Sequence, residues 1–243
     1  MHNRVYIFDV DGTLTVSRTL IDPKFKEFFL KFINKHDCYL VTGSDYPKTL
    51  EQLGEEIMHG VKRSYNCSGN SVWEKGIEVQ TADWILSNKA RDWLSAELFA
   101  SKFPIRTGTH IEDRPGMVNF SIVGRGSTKE ERAEYEVWDK EHTERHKIAR
   151  RFNDRFTKKE NIQAKVAGVT GLDIAPKGKD KRQILSDFNE VAVCFFGDMM
   201  QPGGNDEPLG NAIYNRHEED DEVVLVHDWK DTWKTTYGSY YRE

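Results

Sequence analysis

Along the first eighty residues, apolar and polar positions alternate between two periods. Residues 5–8 are apolar throughout and β-branched or aromatic, which suits a strand buried on both faces. That run stops at Asp9-Val10-Asp11-Gly12. From 24 to 36, Phe25, Phe28, Phe29, Phe32 and Ile33 recur at helical spacing, with Pro23 acceptable in the first turn. A second buried strand is predicted over 38–42 and a helix over 46–58. Short strands and turns follow over 62–79, with a loop at 66–70 and a hairpin corner at 73–76. Much later, 191–196 is the most hydrophobic run of the chain and predicts a central strand, preceded by a helix over 183–188. A last strand over 223–226 and a short helix over 229–237 close the pattern, the aromatic end reading as edge packing.

The middle of the chain reads differently. Residues 82–100 are apolar at Trp84, Ile85, Ala90, Trp93, Leu94, Leu98 and Phe99, a helix that opens a second unit. A strand is expected over 105–111, and 117–123 alternates like an antiparallel strand with one covered face. A long charged helix over 129–156 and strands over 162–166 and 172–175 follow, an α+β arrangement. The expected architecture is therefore an α/β core over 1–81 and 177–243, interrupted by an inserted unit over 82–176.

Composition narrows the field. The 243 residues carry a net charge of −5, with 31% charged and 12% aromatic positions, so the chain can build a real core. An acidic balance gives no electrostatic reason to bind nucleic acid or an anionic membrane, and any anionic substrate needs a local basic patch. Cys38, Cys67 and Cys194 are widely spaced and read as core thiols in a reducing compartment. No charged-then-apolar leader and no apolar run of membrane-spanning length is seen, and a soluble cytoplasmic protein is the expectation.

Three of the predicted strands end in groups that carry chemistry. Asp9 and Asp11 stand at the carboxyl end of the first strand, where ligands bind in open α/β sheets. Two carboxylates so close repel unless they share a cation or a proton. One can then attack phosphorus while the other moves a proton. Thr42-Gly43-Ser44-Asp45 offers hydroxyls and free amides at a helix start, although Ser44 or Asp45 alone reads as a helix cap. The 191–196 strand ends at Gly197-Asp198, followed by a Gly-rich turn to Asp206, and Lys181 lies near another helix start. Arg114, Arg125 and Arg132 in the inserted unit read either as an anion pocket or as scattered surface charge. His142 and His146 sit i and i+4, but the glutamate between them is at the wrong offset for a zinc hydrolase, so a solvated helix face is expected, as it is for Arg145, Arg150, Arg151 and Arg155. The acidic run 217–222 reads as a solvated loop.

Asp9-Val-Asp-Gly-Thr-Leu-Thr15, the Thr42-Gly-Ser44 loop, Lys181 and Gly197-Asp198 with Pro202-Gly-Gly-Asn-Asp206 resemble the four motifs of the haloacid dehalogenase superfamily. Residues 45–54, 111–125 and 178–182 are similar, more narrowly, to eukaryotic-type phosphomannomutases. The resemblance implies a Rossmann-like core with an inserted α+β cap. It implies Asp9 as a nucleophile that becomes an aspartyl-phosphate, Asp11 as general acid/base, and a magnesium ion held by Asp9, Asp198, the Asp11 carbonyl and a nearby Asp206. Ser44, Lys181 and Arg18 would bind the transferring phosphoryl group. Arg114, Arg125 and Arg132, with Asn119 and Asp173, would bind the sugar phosphate in the cap. The implied reaction interconverts mannose 6-phosphate and mannose 1-phosphate through a hexose 1,6-bisphosphate that also serves as activator, within GDP-mannose biosynthesis; a magnesium-dependent sugar-phosphate phosphatase is the alternative. A homodimer through the cap is implied as well. Two positions depart from the family: Val169-Thr170-Gly171 stands where a phosphate-binding serine is expected, with Thr170 as its substitute, and Asp113 adds an acid beside Arg114 that would weaken anion binding.

Overall fold

A computed structural model describes residues 4–216 and 218–240. His217, at the head of the acidic run, lies outside them, as does the start of the chain at 1–3. In order, the elements are β1 (Arg4–Phe8), α1 (Pro23–Lys35), β2 (Cys38–Val41), α2 (Tyr46–Leu53), α3 (Glu55–Gly60), β3 (Arg63–Asn66), β4 (Ser71–Glu74) and β5 (Ile77–Thr81). Then come α4 (Asn88–Ala100), β6 (Ile111–Arg114), β7 (Met117–Ser121), α5 (Lys129–His142), α6 (Glu144–Glu160), β8 (Ile162–Ala167) and β9 (Gly171–Pro176). A run of 3-10 turns (Lys181–Phe188) leads into β10 (Ala192–Gly197), α7 (Glu207–Tyr214), β11 (Glu222–Leu225) and α8 (Trp229–Tyr240).

Two compact units divide the chain, Met1–Thr81 with Lys179–Glu243, and Ala82–Gly178, against an expected insert of 82–176. The first holds a seven-stranded sheet in the order β11-β10-β1-β2-β3-β4-β5. Its first five strands run parallel, and β4 and β5 turn back antiparallel at the edge. The strands carry apolar side chains on both faces because both are covered. Tyr6 and Phe8 face one layer with Phe25, Phe29 and Phe32 of α1, while Val5 and Ile7 face the other with Phe188, Phe195 and Leu209. The chain leaves β1 toward β2 on one side and adds β10 on the other. Between β1 and β10 the strand order therefore reverses, and this is where an open α/β sheet leaves a crevice at its carboxyl edge.

The second unit is a four-stranded antiparallel sheet, β6-β7-β9-β8, whose apolar residues share one core with those of α4, α5 and α6. Register matters here, because cross-strand partners place Glu112, Asn119, Asp173 and Lys165 in one polar row across all four strands.

Several elements differ from the sequence reading, each for a local reason. The expected 46–58 helix breaks at Gly54, whose φ of 80° no helix admits. The 129–156 helix ends at Thr143 in left-handed geometry and restarts at once. There the Asp139 carboxylate takes the Arg145 N–H and its guanidinium, both side chains nearly buried, so Arg145 is not on a solvated face. The strand expected over 105–111 forms over Ile111–Arg114 instead, since the preceding carbonyls at Leu98, Ser101, Phe103 and Ile105 are gathered by Arg106. The 183–188 helix tightens into 3-10 turns. His142 stacks on Trp138 with ring centroids 3.6 Å apart. The three cysteines are buried.

Candidate active site

The site grows from the ends of β1 and β10. Asp9 donates its N–H to the Phe196 carbonyl at 2.9 Å, so parallel pairing carries one residue past the strand and fixes where its carboxylate stands. Its neighbours then have to turn sharply, and Gly12 does so with a φ of 91°. A Cβ there would come within 2.2 Å of Asp198 Oδ2, so glycine is required twice, by backbone geometry and by the approach of the second acid. Asp198 follows β10, and the loop after it closes through Met199 N–H on Asp206 Oδ2 at 3.0 Å, bringing in a third acid.

Asp9, Asp198 and Asp206 thus offer carboxylate oxygens all within 4.8 Å of one another. Lys181, fully buried, donates its ammonium to Asp9 and, at 2.6 Å, to Asp206. Burial alone would lower the Lys181 pKa, but Asp206 and Asp9 outweigh it and hold the ammonium above its ordinary range. Burial raises Asp9 well above the usual carboxylate range, Lys181 working against it and Asp206 and Asp198 with it. Asp198 is pushed up to about 6, by burial first and by Asp206 next. Its Oδ1 is buried and has no hydrogen-bond donor among the described residues. Three crowded carboxylates, one ammonium and an orphaned oxygen leave the site short of positive charge. A hard divalent cation with oxygen ligands fits that donor set.

Asp11 is separate. Its carboxylate is not one of the three; it accepts the Arg18 N–H at 2.7 Å, the Gln52 amide at 2.9 Å and, more weakly, the Ser44 hydroxyl at 3.4 Å. Arg18 reaches the site through its backbone amide, at a φ of 61°. Asp45 caps α2 by accepting the Lys48 N–H, which releases Ser44 for the Asp11 side. Gln52 was not picked out from the sequence, although a buried amide at a helical position shared with Thr49 and Leu53 is the sign that marks it.

In the second unit the expected arginines meet. Arg114 Nε donates to Glu112 at 2.7 Å, and Arg125 Nε stands 3.1 Å from the same carboxylate. Arg132 is held below its ordinary pKa by burial and by the neighbouring Arg125, and its Nη1 has no hydrogen-bond partner among the described residues. Asn119 donates to Asp173 at 2.6 Å. Burial raises Asp173, against the opposing pull of Arg114 and Asn119. Glu112 is the member that sequence reasoning passed over, and its i, i+2 relation to Arg114 on a strand is the signal that puts both on one face. By the same alternation Asp113 points away, pairing with Arg91 at 2.6 Å, so it does not weaken the arginine cluster as expected. A serine at Gly171 would displace the Asn119 amide, because its Cβ would come within 2.9 Å of the amide nitrogen. Thr170, the expected substitute, is buried at 3% exposure.

Comparison with known proteins adds an independent line. The family model of eukaryotic phosphomannomutase matches residues 25–232, a span that begins after Asp9 and Asp11. Phosphomannomutase of Saccharomyces cerevisiae is 34% identical over 209 residues, covering 82% of either chain. Phosphomannomutase 1 of Mus musculus is 34% identical over 212 residues, 82% of this chain and 80% of its own. Among solved structures, the C-terminal domain of C. albicans trehalose-6-phosphate phosphatase is similar with a TM-score of 0.65 at 15% identity, covering 97% of this chain and 91% of that one. A truncated IMP-bound Plasmodium falciparum IMP-nucleotidase gives 0.62 at 13% identity, covering 99% and 68%. At such identities these structures speak for the fold alone, a Rossmann-like core with an inserted cap.

Proposed function

The chain belongs to the eukaryotic phosphomannomutase family and acts as a phosphomannomutase, and from that premise we propose how its residues carry the reaction. Asp9 attacks the phosphorus of a hexose 1,6-bisphosphate, forming an aspartyl-phosphate as the P–O bond to the sugar breaks. Asp11, held by Arg18 N–H and Gln52, gives its proton to the leaving sugar oxygen. In the return step Asp11 takes the proton of the free hydroxyl of a mannose monophosphate, which attacks the aspartyl-phosphate, breaks its bond to Asp9 and forms a bisphosphate; that bisphosphate, turned end for end, gives its other phosphate to Asp9. Mannose 6-phosphate and mannose 1-phosphate thereby interconvert.

Lys181 holds Asp9 in line and, with Ser44, steadies the phosphoryl oxygens. Asp9, Asp198 and Asp206, with the Asp11 carbonyl, would hold magnesium, which when bound neutralises charge developing on the transferring phosphoryl group. Arg114, Arg125 and Arg132 take the phosphate that is not being transferred, and Asn119 and Asp173 the sugar hydroxyls. The observation that carries the mutase reading is this second cluster. A phosphatase needs only the transferring site, whereas a bisphosphate needs a second anion site, and a half-satisfied Arg132 beside Arg125 supplies one. A cytoplasmic protein supplying mannose 1-phosphate for GDP-mannose, pairing through its cap, completes the reading. No described helix is long and apolar enough to cross a membrane.

Asp9→Asn tests it. With labelled hexose 1,6-bisphosphate the wild type takes up label at Asp9 and isomerises mannose 1-phosphate, and the variant does neither. The lost hydroxyl at Gly171 favours a second reading, a sugar-phosphate phosphatase, and release of inorganic phosphate without isomer would decide for it.

A further inference from the structure

We propose that Thr232, on the C-terminal helix α8, is a positioning residue for the loop that carries Asp9; the inference rests on the role of Asp9 given above. Thr232 is fully buried, and its hydroxyl donates to the Thr13 carbonyl at 2.6 Å across 219 residues of chain. Thr13 lies in the turn that follows the nucleophile. There the Val10 carbonyl accepts the N–H groups of Thr13, Leu14 and Thr15 at 3.3, 2.9 and 3.1 Å. The peptide joining Thr13 to Leu14 is therefore held at both ends, its N–H by Val10 and its C=O by Thr232. A peptide plane so fixed sets the direction of the Thr13 side chain, whose hydroxyl reaches Asp9 Oδ2 at 3.4 Å.

The helix that supplies this hydroxyl is itself anchored. Trp229 and Trp233 stack on Phe25 at 5.8 and 5.6 Å between ring centroids, and Tyr237 packs on Phe28 at 5.5 Å. The aromatic end of the chain is thus more than edge packing, for it places one hydroxyl against the catalytic turn. Thr236, one turn further on and equally buried, provides the contrast. Among the described residues its hydroxyl bonds only the Thr232 and Trp233 carbonyls of its own helix, at 2.7 and 3.1 Å.

The experiment compares Thr232→Val, Thr232→Ser and Thr236→Val in the full-length enzyme, reading kcat, KM for mannose 1-phosphate, the rate of Asp9 phosphorylation by hexose 1,6-bisphosphate, and Tm. Thr232→Val is expected to lower kcat and the phosphorylation rate together by about tenfold, as one lost oriented hydrogen bond implies, with KM within about twofold. Thr232→Ser restores both rates. Thr236→Val lowers Tm as much as Thr232→Val does and leaves kcat at the wild-type value. Equal losses of kcat in Thr232→Val and Thr236→Val, a loss confined to KM, or an unchanged kcat in Thr232→Val overturns the proposal. Should Thr232→Val prove insoluble, Thr232→Ala is judged by the same criteria. A wild type that isomerises without label on Asp9 overturns the underlying reading instead, and is recognised before any variant is compared.

Discussion

Replacing Lys181 by methionine removes the only positive side chain that touches both Asp9 and Asp206 among the described residues, while keeping most of the apolar stem. The Asp206 contact at 2.6 Å is worth about 6 kcal/mol of gross attraction at an effective dielectric constant near 20. Most of that is offset by the desolvation of groups with side-chain exposures of 3% or less. The cost of removing one partner follows from the carboxylates left behind, buried and facing each other, and is about 3–5 kcal/mol. For a chain of this size each kcal/mol lowers Tm by about 2–4 °C, so a drop of about 10 °C is expected in EDTA. Magnesium binds folded carboxylates more tightly once the ammonium is gone, so saturating metal recovers part of the loss. Turnover stays lost in both buffers. Thermal melts by circular dichroism, with and without metal, read all of this. A variant melting within about 2 °C of wild type in EDTA would refute the bridging role of Lys181, and a gap that magnesium leaves unchanged would refute the cation site.

Three further outcomes are expected. In Glu112→Gln the competing carboxylate on Arg114 and Arg125 is gone, so KM for mannose 1-phosphate falls severalfold, by about 1 kcal/mol of binding, while Tm drops slightly as the arginines lose their counter-charge; a raised KM would mean that Glu112 orients the arginines rather than competing for them. Restoring the family serine by Gly171→Ser pushes the Asn119 amide away from Asp173 and lowers kcat/KM by about tenfold, and an increase in isomerisation would show that the cleft accommodates it. Without metal, the pKa of Asp198 near 6 lies above its unfolded value of about 4, so the folded state keeps a proton that the unfolded chain releases. Stability from this group is full below about pH 4 and lost as pH rises through 6, about 2 kcal/mol after allowance for partial exposure. Melting curves in EDTA across that window should decline more steeply for wild type than for Asp198→Asn, and equal slopes would sink the assignment.

Periodicity along the chain determined the layered architecture and, with it, which acids stand at strand ends. Residues 5–8 and 191–196 can be buried on both faces only inside a parallel sheet, so Asp9 and Asp198 had to emerge at its carboxyl edge. The Asp-x-Asp-Gly turn and the loop ending at Asp206 were legible for the same reason, since each is a local consequence of where an apolar run stops. The breaks at Gly54 and Thr143 were less so, because a helical pattern continues across a residue whose backbone does not.

What tertiary structure decided is every partnership across the chain. Lys181 finds Asp9 across 172 residues, Gln52 finds Asp11 across 41, and Thr232 finds Thr13 across 219. In the cap, strand alternation already separates Glu112 from Asp113, but only the tertiary structure brings Arg125 to the first and Arg91 to the second. No local pattern encodes such pairs. A side chain's partner depends on how separate apolar faces close on one another, and only the packed sheet fixes which polar groups are then left within reach.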